Sequence, residues 1–287
     1  MVSAAACPDP GGWGSGVTAG DGHSTPGPLG SVSEPSRTSQ TVALVRAGLV
    51  RPHTPGGDPD AQRALCVGMT ATPAERWRDE VTERTRFFDG HLVAAISAGI
   101  RQVVVVGAGY DDRALRFRAP GVRFFEIDHP LTQADKVRRV RAMGTDTDRL
   151  VFVPADFGLD DITDLLAAHG HDDAEPSLFI CEGVLVYLDQ PTISALLRAL
   201  RSRAGPGSTL AASLATHPQG IDSGLVADMA NAGRRTGVSE PWRTILPADQ
   251  HLALLSGAGW QAEPADGTVR RDDGDRAARS LLITARA

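Results

Sequence analysis

Gln102-Val103-Val104-Val105-Val106-Gly107-Ala108-Gly109-Tyr110-Asp111-Asp112-Arg113, followed by Arg123-Phe124-Phe125-Glu126-Ile127-Asp128, is the stretch that decides the fold. A run of β-branched residues without a polar break reads as a strand buried on both faces, the kind found in parallel sheets. It ends in a Gly-x-Gly turn, where backbone can approach a ligand closely. A second apolar strand then ends in an acid 19 positions after the second glycine. That is the outline of a nucleotide-binding βαβ unit, with Asp128 placed to take ribose hydroxyls. Dinucleotide folds want a third glycine, and here Asp112 holds that position with Asp111 beside it. Two carboxylates in a first helical turn suit the helix dipole but repel a diphosphate. A cofactor with an adenosine, a cationic tail and no phosphate fits better, and S-adenosylmethionine (SAM) has that make-up.

Outward from this unit, strands alternate with helical segments. Strands are expected at 102–107, 122–127, 150–154, 177–182, 208–214, 260–263 and 279–285, with helices at 131–143, 159–168, 190–203 and 247–258. In 190–203, Ile193, Leu196, Leu197 and Leu200 form one apolar stripe, and Gly205-Pro206-Gly207 is a clear stop. Such βαβ alternation implies an α/β fold with a doubly wound, mostly parallel seven-stranded sheet. Ligands of such sheets sit outside the carboxyl ends of the strands. Gly107, Asp128, Asp156 and Glu182 all fall at or just after expected strand ends, so four strand tips converge on one site.

N-terminal to the sheet, helices are expected at Ser39–Ala47, Ala61–Val67 and Pro73–Ala98, with a Pro/Gly break at Pro52–Pro59 between the first two. Phe88, Leu92 and Ile96 recur every four residues and mark the buried face of the third. Residues 1–37 are dominated by Gly, Pro, Ser and Thr and read as a disordered tail. The domain proper is then 38–287, with a helical cap at 38–100 and a glycine-studded substrate lid at 215–247 carrying Trp242.

Several of these segments resemble a known family in both residues and order. Arg84-Thr85-Arg86-Phe87-Phe88-Asp89, Gln102 to Arg113, Phe125-Glu126-Ile127-Asp128-His129-Pro130 with Lys136, and Glu182-Gly183-Val184-Leu185-Val186-Tyr187-Leu188 are similar to motifs of the leucine carboxyl methyltransferase family. Thr41 to Ala47 and Asp58-Pro59 match it more loosely. The family includes bacterial SAM-dependent O-methyltransferases, several of them acting on polyketides. The resemblance implies the seven-stranded methyltransferase sheet and SAM as cofactor. It also implies roles for single residues. Arg84 would hold the methionine carboxylate, with Arg86 competing for the task and Arg46 as a second basic residue. Gly107 and Gly109 would admit the cofactor, Asp128 would take the ribose, Asp156 and the adjacent Phe157 would lie near the adenine, and Glu182 near the ammonium.

Composition narrows the remaining choices. The chain has 287 residues, 41% hydrophobic, with a net charge of −6 and no basic stripe, which argues against a nucleic-acid partner. Its basic residues are nearly all arginine, Lys136 being the single lysine, a bias expected of a GC-rich bacterial genome. Cys7, Cys66 and Cys181 are odd in number and widely spaced, so neither a disulfide framework nor a zinc site is indicated. No apolar run approaches the roughly 20 residues of a membrane helix, and no signal peptide appears. A soluble cytoplasmic protein is expected. His169-Gly170-His171-Asp172-Asp173 reads as a solvated loop in preference to a metal site, and Arg270-Arg271-Asp272-Asp273 as a self-neutralising turn.

The expected activity is methyl transfer from SAM to a carboxyl or hydroxyl oxygen of a small molecule. Tyr187, five residues beyond Glu182, is the candidate catalytic residue. His129, His217 and His251 read more readily as structural than as bases. Two alternatives compete: a nicotinamide-dependent oxidoreductase, and a SAM-binding module without catalysis.

Overall fold

The computed structural model describes residues 34–71, 75–235, 240–263, 268–269 and 279–287. Residues 1–33 of the tail expected at 1–37, and the turn expected at 270–273, lie outside these residues.

Three helices precede the sheet: α1 (Arg37–Ala47), α2 (Ala61–Leu65) and α3 (Glu75–Ser97). The first starts earlier than the sequence implied, because Ser36 caps it by accepting a hydrogen bond from Ser39 N at 3.1 Å. Ser36 N also donates to Thr132 Oγ1 at 3.0 Å.

The sheet and its connections follow as β1 (Gln102–Val106), α4 (Arg113–Arg116), β2 (Arg123–Asp128), α5 (Pro130–Ala142), β3 (Leu150–Pro154), α6 (Ile162–Ala168), β4 (Ser177–Cys181), a 3₁₀ turn (Leu185–Tyr187), α7 (Gln190–Ser202) and β5 (Thr209–Thr216). Then come α8 (Ser223–Arg235), α9 (Ala248–Gly257), β6 (Gln261–Ala262), β7 (Thr268–Val269) and β8 (Arg279–Arg286). Helix starts obey local chemistry. Pro130 opens α5 behind the capping His129, and Asp189 caps α7 through Thr192 N at 2.9 Å.

The strands lie in the order β3-β2-β1-β4-β5-β8-β6, with the two-residue β7 joined to β8. The first five are mutually parallel, whereas β8 runs antiparallel to β5 over eight paired positions. Order reverses between β1 and β4, the place where ligands of open α/β sheets bind. Side-chain alternation along β1 splits the core into two layers. Val104 and Val106 join the α7 stripe, Ile162, Leu166 and Leu255 on one face. Val103 and Val105 join Phe88 and Leu92 of α3, Leu65 and Val140 on the other. Trp260 is fully buried against the first layer and donates its Nε1 hydrogen to Leu197 O at 2.9 Å.

Two regions depart from expectation. The strand expected at 260–263 shortens to two residues, and β7 was not anticipated; neither segment carries a run of apolar alternation long enough to read. The expected lid contains a full helix, α8, despite Gly224 and Gly233. Its described apolar residues Val226, Met229 and Ala230 meet Ile245, Val186 and Trp242 in a small separate cluster.

Candidate functional site

The Gly-x-Gly turn after β1 is held from both sides. Gly107 has φ +66°, and a Cβ there would lie 2.6 Å from Val184 Cγ2. Gly109 has φ +47°, and its Cβ would lie 2.6 Å from Ser39 Cβ of α1. Only glycine meets both the left-handed backbone and the contact. Asp128 at the tip of β2 accepts from Gly109 N at 2.5 Å and from His129 N at 2.7 Å. Burial pushes its carboxyl up to about 6 against these two bonds.

Beyond β3, Asp156 is half-buried and closes a turn by accepting from Gly158 N at 2.9 Å. Phe157 packs, half-buried, on the first core layer. Neither touches the charged centre described next.

That centre is built around Glu182, after β4. Its carboxylate meets Arg46 of α1 at 2.5 Å, Arg84 of α3 at 2.9 Å and Arg113 of α4 at 2.7 Å. Burial is the largest influence on Glu182 and pushes its carboxyl up. The charges of Arg46, Arg113 and Arg84 together outweigh it and hold the group well below the usual carboxylate range. Ion pairs extend outward from this point. Arg113 reaches Asp111 at 2.5 Å and Asp89 at 2.7 Å, and Arg46 reaches Asp111 at 3.3 Å. Arg51 joins Asp89 at 2.8 Å to Asp112 at 2.6 Å, and Arg116 also holds Asp112 at 2.7 Å. Arg84 also lies 3.7 Å from Glu80. Five guanidinium groups thus meet five carboxylates with side chains at most 9% exposed, so the desolvation cost of each charge is met by at least one opposite neighbour.

The network bears on one choice left open by the sequence and corrects one inference. Arg84 is buried beside Glu182, whereas Arg86 lies on the exposed side of α3. Asp111 and Asp112 are not bare carboxylates facing a ligand: arginines neutralise both, so they are no barrier to a diphosphate. Arg113 pairs with the nearby Asp111 and also bridges to Asp89 and Glu182. Arg51 was missed, because its partner Asp89 is 38 positions away and no spacing rule connects them. The i,i+4 pairs Asp112–Arg116 and Glu80–Arg84 are local traces of the network.

Tyr187 is half-buried in the 3₁₀ turn, and burial pushes its phenol up to about 12, with Glu240 adding to the rise. Hydrogen bonding with Trp242, the Arg84 charge and Thr38 of α1 work the other way. The helix α1 and the segment before α9 therefore meet at this hydroxyl. The three histidines are committed elsewhere. His129 caps α5, His217 Nδ1 lies 2.7 Å from Pro218 O, and His251 Nε2 lies 2.9 Å from Ala215 O. His171 of the acidic loop turns inward to Ser177 Oγ at 3.0 Å, and burial, with the nearby Arg203, lowers its imidazole to about 4.

The donor set suits a zwitterionic amino-acid tail joined to a ribose. Arg46 and Arg84 offer cations for a carboxylate, Glu182 an anion for an ammonium, and Asp128 an acceptor for a diol. Among the described residues, the buried Nη2 of Arg113 has no hydrogen-bond partner of its own.

Comparison with known proteins agrees. The family model described as leucine carboxyl methyltransferase matches residues 42–201. A Mycobacterium avium protein whose name places it among the S-adenosyl-L-methionine-dependent methyltransferases is 30% identical over 254 residues, 86% of this chain and 81% of that protein. A Frankia alni protein named in the same way is 35% identical over 195 residues, 66% of this chain and 65% of its own length. Among solved structures, a Thermobifida fusca protein described as a methyltransferase is similar with a TM-score of 0.57 at 18% identity, covering 89% of this chain and 96% of that one. Magnesium protoporphyrin IX methyltransferase from Synechocystis, solved with bound SAH, reaches 0.50 at 13% identity, covering 79% of this chain and 94% of that one. At these identities the structural likeness speaks for the fold alone. With the ordered motifs, the strand order and the match over residues 42–201, the chain belongs to the leucine carboxyl methyltransferase family of SAM-dependent methyltransferases.

Proposed function

We propose that this protein transfers the methyl group of SAM to a carboxyl or hydroxyl oxygen of a small organic molecule, such as a polyketide or another secondary metabolite. The observation that carries the reading is Tyr187, set beside Arg84 on one side and an apolar cluster of Val186, Met229, Trp242 and Ile245 on the other. That arrangement offers an oxygen-binding group at the edge of an apolar surface.

When bound, SAM supplies an electrophilic methyl group on a sulfonium. The chain's own residues bind, orient and exclude water. Arg84 and Arg46 hold the carboxylate and Glu182 the ammonium. Gly107 and Gly109 admit the cofactor, Asp128 takes the ribose, and Asp156 with Phe157 flanks the adenine. The cap at 38–100 and the lid at 215–247 close over the acceptor. With its phenol raised to about 12, Tyr187 stays protonated at neutral pH and serves as a hydrogen-bond donor to the acceptor oxygen, not as a base. A carboxyl acceptor, with a pKa of about 4, needs no base, whereas a phenol near 10 does. A cytoplasmic, bacterial setting without a nucleic-acid partner completes the reading, supported by the buried free thiols of Cys66 and Cys181. No helix among the described residues is long and apolar enough to cross a membrane.

The test is transfer of labelled methyl from SAM to a panel of carboxylic acids and phenols, with alkaline lability separating esters from ethers. Labelled product of either kind supports the proposal. Tight S-adenosylhomocysteine (SAH) binding without transfer to any member points to the non-catalytic module, and NAD binding in a parallel titration to the oxidoreductase.

A further inference from the structure

Beneath the glycine-rich loop lies the one lysine of the chain. Lys136 projects from α5 with a side chain only 1% exposed, and its Nζ lies 2.6 Å from Glu126 Oε2. The same ammonium donates to the backbone carbonyl of Asp111 at 2.6 Å. Glu126 stands two residues before Asp128 on β2, so the two acids share a face of the strand. They hold the loop at two points. Asp128 takes the Gly109 N–H directly, and Glu126 reaches the Asp111 carbonyl through Lys136. Between these grips, Tyr110 donates its hydroxyl to Asp135 at 2.6 Å, and its carbonyl accepts from Gln62 Nε2 at 2.9 Å.

We propose that Lys136 is a positioning residue for the cofactor: by tying the Asp111 carbonyl to Glu126, it fixes the backbone of residues 109–111 in the form that receives SAM. The carboxylate of Asp111 carries Arg113 and Arg46, so its backbone position also places two of the three cations that face Glu182. A long ammonium side chain suits this task, because it donates in several directions from one point. The chain uses arginine at every other basic position, so a lysine sealed in this place is set apart from the compositional trend. This inference rests on SAM being the cofactor.

The single lysine makes the test direct. Wild-type protein grown on side-chain ¹³C-labelled lysine gives one lysine signal, which should shift as SAH saturates the site. A signal indifferent to bound SAH overturns the proposal. Calorimetry on Lys136→Met should show SAH binding weakened on the order of 10-fold, from loss of a charged hydrogen bond to the loop. The double variant Lys136→Met/Glu126→Gln separates positioning from charge balance. Without the stranded carboxylate, its melting temperature should return toward the wild-type value while SAH affinity stays low. Wild-type affinity in either variant means that Lys136 serves stability alone, and the proposal falls. Failure of the wild type to bind SAH at all would strike the cofactor reading instead, and NAD in the same titration would show which reading replaces it.

Discussion

The two halves of the candidate site are built in opposite ways. Around Glu182 every group is charged, buried and paired, and the pairs join α1, α3, the glycine loop and the tip of β4. Around Met229 and Ile245 the surroundings are apolar, and the segment before α9 is tied to the 3₁₀ turn chiefly by Arg243 N and Thr244 N, both donating to Val186 O. The first half has one low-energy arrangement, because moving any member leaves a buried charge unmatched. The second tolerates repacking, because apolar contacts have little directional preference. In the proposed function the charged half holds SAM and the apolar half faces the acceptor, a division that would let the acceptor change while the chemistry stays.

The contrast is breakable in graded steps. Glu182→Ala should do the most damage. Stripping three buried arginines of their shared carboxylate should cost about 3–5 kcal/mol, visible in urea denaturation, and SAH binding should vanish with it. Comparable loss from Met229→Ala would erase the distinction between the halves. Next comes the pair Arg84→Ala and Arg86→Ala. The first should weaken SAH by about 10- to 100-fold for a charged hydrogen bond worth roughly 1.5–3 kcal/mol, and the second should leave it unchanged. A reversed order in calorimetry would move the carboxylate ligand to the exposed side of α3. Smaller still, Tyr187→Phe should lower kcat on the order of 5- to 10-fold while SAH affinity holds, as fits one neutral hydrogen bond to the acceptor. Weaker SAH binding in that variant would shift Tyr187 to the cofactor half.

The mildest effect is on pH. Asp128 has its folded value raised from 3.8 to about 6, so any stability it contributes is present in full below 3.8 and is lost as pH rises through 6. Ribose recognition runs the other way, because the ionised carboxylate is the better acceptor. SAH affinity should therefore rise from pH 5 to 7 and level off, and Asp128→Asn should flatten the curve. A slope retained in that variant would assign the titration to another group.

Legibility followed the same line. The five-residue β1, buried along its whole length, and the stripe Ile193, Leu196, Leu197 and Leu200 on α7 could be read directly, because period and burial coincide there. The positions of Asp128 and Glu182 at the ends of β2 and β4 were legible for a related reason, since the expected strand bounds place them there. What escaped was partnership. The sequence shows Asp111 and Asp112 as adjacent negative charges but not the arginines that cancel them, because Arg46 and Arg51 arrive from 65 and 61 positions away. In the segment expected as a lid, the glycines of α8 masked a helix held by its neighbours: contacts with Val186 and Ile245 override the local cost of Gly224 and Gly233.

The contact between Gly109 and Ser39 carries a mechanical consequence. A methyl added at Gly109 would sit 2.6 Å from the Ser39 Cβ, against a comfortable carbon–carbon separation of about 3.5–4.0 Å, so α1 would have to recede by about 1 Å. Arg46 rides two turns further along that helix, and its 2.5 Å grip on Glu182 would stretch with it. One carbon atom at the loop would act as a wedge, and the helix as the lever arm that carries its displacement to the charged centre around Glu182.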